Sequence, residues 1–174
     1  DTLATKGRLD QDTVSVYKSR LQSANALSDL KSCELVVEAI VERLDIKKSL
    51  FTELENLLPE SAVLVTNTSS LSVTAIASAL KRPEQFAGYH FFNPVPLMKV
   101  VEVIAGLKTN PDVCARLSNF AKQMGHTPVQ ANDTPGFIVN HAGRGYGTEA
   151  LRIVSENVAD FVTIDRILKD QVGF

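Results

Sequence analysis

Apolar positions along this chain follow two alternating rhythms. Short runs rich in β-branched or apolar residues, Leu35-Val36-Val37, Ala62 to Thr66, Phe86 to Phe92 and Val100 to Ile104, predict buried strands, and Pro128 to Ala131 is a strand-like piece. Between them the spacing is helical. Glu42 to Leu58 places Leu44, Ile46, Leu50, Phe51, Leu54, Leu57 and Leu58 on an amphipathic helix that Pro59 ends. Val73 to Leu80 predicts a helix closed by Arg82-Pro83, and Asp112 to Met124 one stopped by Gly125. Strands separated by helices of this size predict an α/β fold, a parallel sheet with crossover helices. Ahead of it, Leu9 to Leu21 is helical, and Lys6-Gly7-Arg8 predicts a basic, exposed turn between two helices.

After Asn132 the strand rhythm stops. Asp133 or Thr134 can cap a helix with Pro135 near its first position, Gly136 to Asn157 then runs helical, and Thr163 to Val172 follows as another helix. This predicts the start of an all-α domain. Gly143-x-Gly145-x-Gly147 does not follow a strand and so fails the context of a phosphate loop. Glycines inside a helix each cost about 1 kcal/mol relative to alanine. Asn140, Gly143 and Gly147 share one face, which predicts close packing of that face against another element.

Composition narrows the class. The 174 residues suffice for one full core, or for one domain and part of another, and 44% hydrophobic with 22% charged residues marks an ordinary globular protein. A net charge of −2 with both signs interspersed points to neither a nucleic-acid nor an anionic-membrane partner. Cys33 and Cys114 lie far apart without a C-x-x-C, against a zinc site or a disulfide framework, so a reducing, cytoplasmic setting is expected. No apolar run reaches the length of a membrane span, and no signal peptide is visible. Asp1 is not a methionine and Phe174 falls within a helical pattern, so the chain is expected to be an internal piece of a longer protein.

The chemistry concentrates between Gly88 and Glu102. Pro94 and Pro96 lack amide hydrogens and restrict the residues before them, so strand pairing should stop just after His90. Val100 to Ile104 then returns Glu102 on a neighbouring strand, within reach of the imidazole. A carboxylate there favours imidazolium and holds one ring tautomer. A satisfied core histidine with a solvent-facing glutamate fits these residues equally well. Open α/β sheets bind ligands beyond the carboxyl ends of their strands, where Asn67-Thr68-Ser69-Ser70 and His90 to Asn93 can converge. Ser70 or Ser72 could simply cap the next helix. By the same residue-level reading Glu42 and Lys47 could be a helix-start acid and a solvated lysine, His126 is a surface residue, and His141 is a packing or surface residue.

Four motifs taken together carry a resemblance: Leu35-Val-Val-Glu-Ala-Ile-Val-Glu42, Asn67-Thr-Ser-Ser70, His90-Phe-Phe-Asn-Pro-Val-Pro96 with Lys99-Val-Val-Glu102, and Asp133-Thr-Pro-Gly-Phe-Ile-Val-Asn140. In order and spacing, over nearly the whole chain, they resemble the L-3-hydroxyacyl-CoA dehydrogenase family, and especially its bacterial single-function members. The resemblance implies an incomplete Rossmann-type doubly wound sheet in residues 1–133, with a helix-turn-helix CoA tail near 1–25, and the start of the C-terminal helical, dimer-forming domain in 134–174. It implies that His90 is the general base paired with Glu102, that Ser69 rather than Ser70 hydrogen-bonds the substrate oxygen, and that Asn140 contacts the reacting acyl group. Glu42, Lys47, Asn67 and Asn93 would surround the ribose and nicotinamide end of NAD, and Lys6 would face the anionic CoA. The lysine's usual companion one turn earlier is Thr2 here, and His141 stands where the family has arginine.

The family's opening strand and G-x-G-x-x-G turn, which hold the dinucleotide pyrophosphate, have no counterpart in these residues. The activity expected from the resemblance is NAD-dependent interconversion of (S)-3-hydroxyacyl-CoA and 3-oxoacyl-CoA, with short acyl chains, in fatty-acid or aromatic-acid degradation, by a homodimer. A non-catalytic acyl-CoA-binding or assembly module is the alternative if the glycine turn is truly absent. A related oxidoreductase acting on a free hydroxy acid or sugar acid is a third.

Overall fold

Five strands lie side by side in chain order: β1 (Leu35–Glu38), β2 (Val63–Thr66), β3 (Phe86–Phe91), β4 (Val100–Ala105) and β5 (Thr127–Asn132). The computed structural model describes residues 5–7 and 10–173. β1, β2 and β3 run parallel, with Leu35 opposite Val63 and Leu64 opposite Phe86. β4 then returns antiparallel to β3, which sets His90 opposite Glu102, and β5 runs parallel to β4. The parallel sheet expected from the rhythm is therefore corrected to a mixed one. The reason is the length of one connection: residues 92–99 contain no helix, and a parallel crossover needs about a dozen residues or more.

Helices cover both faces. The described chain opens with α1 (Gln11–Ser19); α2 (Leu44–Leu57) joins β1 to β2, the short α3 (Val73–Ala77) joins β2 to β3, and α4 (Pro111–Gln123) joins β4 to β5. Alternate strand residues point to opposite faces. Leu64, Phe86 and Ile104 pack under Phe51 and Leu54 of α2 and Val73 and Ile76 of α3. Val63, Val65, Tyr89, Val101 and Val103 pack under Val113, Leu117 and Ala121 of α4. By this alternation His90 and Glu102 fall on the α2–α3 face. Gly88 precedes them on that face because nothing larger fits there: a Cβ would lie 2.9 Å from both Ile104 and Val73.

Beyond β5 come α5 (Val139–Ser155) and α6 (Phe161–Ile167), with a wider helical turn over Leu168–Val172 after the latter. The helix expected from Gly136 starts at Val139, because Gly136 and Phe137 both adopt left-handed backbone, with φ of 79° and 50°. Asp133 does not cap it. Its carboxylate instead accepts from the backbone of Val73 and Thr74 and from the Ser72 hydroxyl, capping α3 from across the chain. Ser72 also caps α3, accepting from the Ala75 amide, the capping role expected for that serine. The close packing expected of the Asn140, Gly143 and Gly147 face is not made by any described residue: a Cβ added at Gly143, Gly145 or Gly147 meets nothing within 4 Å. Among the described residues no helix is long and apolar enough to cross a membrane.

Candidate functional site

The site grows from the carboxyl ends of β1, β2 and β3 on the α2–α3 face. At the end of β3, His90 Nδ1 lies 2.7 Å from Glu102 Oε2 on the paired strand. Both side chains are buried, Glu102 completely. Glu102 is thus not solvent-facing. Its other oxygen, Oε1, accepts the backbone N–H groups of Ile138 and Val139, each at 2.9 Å. A carboxylate only accepts, so Nδ1 is the donor, which in the neutral ring leaves the lone pair on Nε2. Nε2 has no hydrogen-bond partner among the described residues. The ring is packed edge-on by Phe92 at 4.6 Å between centroids and flanked by Phe137 at 5.8 Å.

A second polar group forms at the ends of β1 and β2. Glu38, an inward-facing charge at the last position of β1, accepts from Lys47 Nζ at 2.6 Å, from the Thr66 hydroxyl at 2.7 Å and from the Ile40 amide at 2.6 Å. Lys47 is fully buried, which corrects the expectation of a solvated lysine. Its ammonium also lies 3.2 Å from Glu42, a carboxylate whose side chain is partly exposed. Glu42 in turn holds the loop after β2, accepting from the Thr68 hydroxyl, the Ser69 amide and the Ser70 hydroxyl. Burial pushes the Glu42 carboxyl upward, but the hydrogen bonds from Thr68 and Lys47 and the lysine charge outweigh it and hold it below the ordinary range.

The two groups are stitched together by Asn67, whose Oδ1 accepts the Phe91 amide at 2.8 Å, so the loop after β2 and the end of β3 converge. The structure separates the two serines that follow. Ser70 has its hydroxyl on Glu42. Ser69, an exposed residue, has only its amide engaged among the described residues, leaving the hydroxyl uncommitted there. Asn93 is exposed in the loop after β3, and Asn140 is partly buried in the first turn of α5, next to the amides that bind Glu102.

Lys6 stands exposed in a turn beside Gly7, whose φ is 65°. Thr2, Arg8 and the expected helix before this turn lie outside the described residues. His126 is of intermediate exposure and packs edge-on against Phe91, and His141 is exposed on α5. Sequence reasoning missed Glu38, Asp133 and Phe137 as organisers of the site. Glu38 carried a signal, since it shares the inward parity of Val36 at the end of an apolar strand. Asp133 and Phe137 carried none, because their partners lie far away in the chain.

Asn67 keeps its side-chain N–H groups free of described partners, and Glu42 is open on one side. A donor and an acceptor at a sheet's carboxyl edge fit the polar ribose and carboxamide end of a nicotinamide dinucleotide. Among the described residues no glycine-rich strand-to-helix turn offers a pyrophosphate cradle. The five-stranded sheet with helices on both faces is a Rossmann-like α/β fold, with the His90–Glu102 pair at the carboxyl end of β3.

Residues 1–134 match the family model for the NAD binding domain of 3-hydroxyacyl-CoA dehydrogenase, and residues 136–174 match that for its C-terminal domain. The chain belongs to the 3-hydroxyacyl-CoA dehydrogenase family. Among curated relatives, it is 45% identical over 98% of its length to 36% of the 3-hydroxyadipyl-CoA dehydrogenase of Escherichia coli, and 42% identical over 96% of its length to 60% of a probable 3-hydroxybutyryl-CoA dehydrogenase of Deinococcus radiodurans. Among solved structures, the 3-hydroxybutyryl-CoA dehydrogenase of Escherichia coli superposes with a TM-score of 0.95 at 44% identity, over 99% of this chain and 37% of that one. The (S)-3-hydroxybutyryl-CoA dehydrogenase of Ralstonia eutropha superposes with a TM-score of 0.93 at 33% identity, over 97% of this chain and 60% of that one. The chain therefore spans 36% to 60% of the lengths of these two curated relatives.

Proposed function

We propose that the protein carrying this chain interconverts (S)-3-hydroxyacyl-CoA and 3-oxoacyl-CoA with NAD, on short acyl chains. The observation that carries the proposal is the buried His90–Glu102 pair, which leaves Nε2 as a free base at the sheet's carboxyl edge in a chain of this family. A neutral alcohol is a poor hydride donor until its proton is leaving. His90 Nε2 takes the proton of the 3-hydroxyl while hydride departs from the same carbon, and returns it in the reverse direction. NAD, when bound, supplies the hydride acceptor.

Glu102 keeps the hydrogen on Nδ1 and stabilises the imidazolium. The uncommitted Ser69 hydroxyl donates to the substrate oxygen, and Asn140 contacts the acyl group. Glu42, Asn67 and Asn93 hold the ribose and nicotinamide end. Lys47, buried between two carboxylates, acts by fixing Glu42. Lys6 meets the CoA phosphates as a point charge. Residues 1–133 belong in this proposal to the dinucleotide-binding domain, with the CoA tail near 1–25, and residues 134–174 begin the helical domain through which two copies pair.

The test is NADH consumption by the purified protein on adding acetoacetyl-CoA, with free acetoacetate as control. Turnover of the thioester alone is expected. Turnover of both substrates alike, or of neither by folded protein, overturns the proposal.

A further inference from the structure

Glu102 divides its two oxygens between the base and the start of α5. Oε2 faces His90, and Oε1 takes the amides of Ile138 and Val139. These lie among the first N–H groups of a helix, which have no partner within it and whose partial positive charge favours a carboxylate. The turn that aims them is uncommon. Gly136 has φ of 79° and Phe137 φ of 50°, and a bulky non-glycine residue rarely adopts the left-handed region. Such backbone persists only where its surroundings over-determine it. At Phe137 those surroundings include the base: the side chain is buried, and its ring lies 5.8 Å from the imidazole. Glycine would take this φ at lower cost. What phenylalanine adds is a wall against His90.

We propose that Phe137 is a positioning residue for the base: its left-handed backbone aims the Ile138 and Val139 amides at Glu102, and its ring fixes the imidazole. This rests on the assignment of His90 as the base. Glu102 falls in the segment matched by the NAD binding model and the two amides in the segment matched by the C-terminal model, so the proton-handling pair is completed across both. Undocking the residue 136–139 turn takes two donors from a buried carboxylate, and Glu102 then no longer holds one tautomer of His90.

The experiment reads the tautomer directly. This chain has three histidines, and ¹⁵N-histidine labelling, with the signals lost in His90→Gln giving the assignment, isolates the ring signals of His90 at alkaline pH. The native protein should show the Nδ1–H form alone. Phe137→Val puts a β-branched residue into left-handed backbone, and should show both tautomers, with kcat on acetoacetyl-CoA falling about 100-fold and KM little changed. Phe137→Gly keeps the turn and loses the wall, so it should retain the single tautomer and lose about tenfold in kcat, a partial loss of positioning. Should Phe137→Val fail to fold, Gly136→Ala carries the same test, because its Cβ would lie 3.0 Å from the His141 amide nitrogen at a φ of 79°. A native signature in a folded Phe137→Val or Gly136→Ala protein overturns the positioning role even if the native enzyme turns over. Tautomer loss in these variants with no turnover by the native protein keeps that role and sinks the proposed reaction.

Discussion

Glu38 and Lys47 meet at 2.6 Å in the interior, with side chains 0% and 1% exposed. Burying both charges is costly, and it is offset here by the Thr66 hydroxyl and Ile40 amide on Glu38 and by Glu42 on the lysine. The lysine can then hold Glu42 against the loop that carries Ser69. Glu38→Gln leaves a buried ammonium without its main counter-charge and should lower stability by about 3 kcal/mol. Glu42→Gln, on the open side, should cost clearly less. Urea denaturation of both variants decides, and equal losses would show that the pair is not the anchor.

Ser69 and Ser70 separate two roles that their sequence leaves indistinguishable. Of the two, Ser69 is the one whose hydroxyl has no partner among the described residues. Ser69→Ala should lower kcat on acetoacetyl-CoA by about 100-fold, the usual effect of removing one donor to the reacting oxygen. Ser70→Ala should leave kcat within a few-fold and act mainly on loop stability. The reverse order in steady-state kinetics would exchange their assignments.

Asp133 gives a pH-dependent contribution. Burial pushes its carboxyl up, but hydrogen bonds from Thr74, Ser72 and Val73 outweigh this and hold it below its ordinary value of 3.8. A depressed pKa means that the stabilisation is fully present above the unfolded value and is lost as pH falls through the folded one. Asp133→Ala should therefore cost about 1–2 kcal/mol near neutrality, and the gap from the native protein should narrow below the carboxylate range. Thermal unfolding at several pH values measures it, and a gap that widens in acid would contradict the cap.

Gly88→Ala should destabilise the chain by about 1–3 kcal/mol through overpacking. The new Cβ would lie 2.9 Å from Val73 and from Ile104, so β4 or α3 must give way. Since Gly88 pairs with Ile104 two positions from the His90–Glu102 pair, kcat should fall with stability. A variant as stable as the native protein in denaturant would show that the strand and helix yield freely.

The sheet was legible from the chain because strand and helix rhythms are local. Apolar runs at Leu35, Val63, Phe86 and Val100 and the helical stripe of Phe51 and Leu54 each declare themselves within one element. The motifs around Asn67, His90 and Asp133 identified the family because side-chain types at fixed spacing survive without coordinates. Strand direction was not legible: whether β4 returns antiparallel depended on residues 92–99 making no crossover helix, and proline placement alone does not state it. Nor did the sequence reveal that Lys47 lies inside, that Asp133 caps α3, or that the amides of Ile138 and Val139 sit on Glu102. Those facts join residues 9 to about 60 positions apart. Local propensity fixes which segments become strands and helices, whereas the partner of a buried polar group is chosen only when packing brings distant segments together and every donor and acceptor must be satisfied at once.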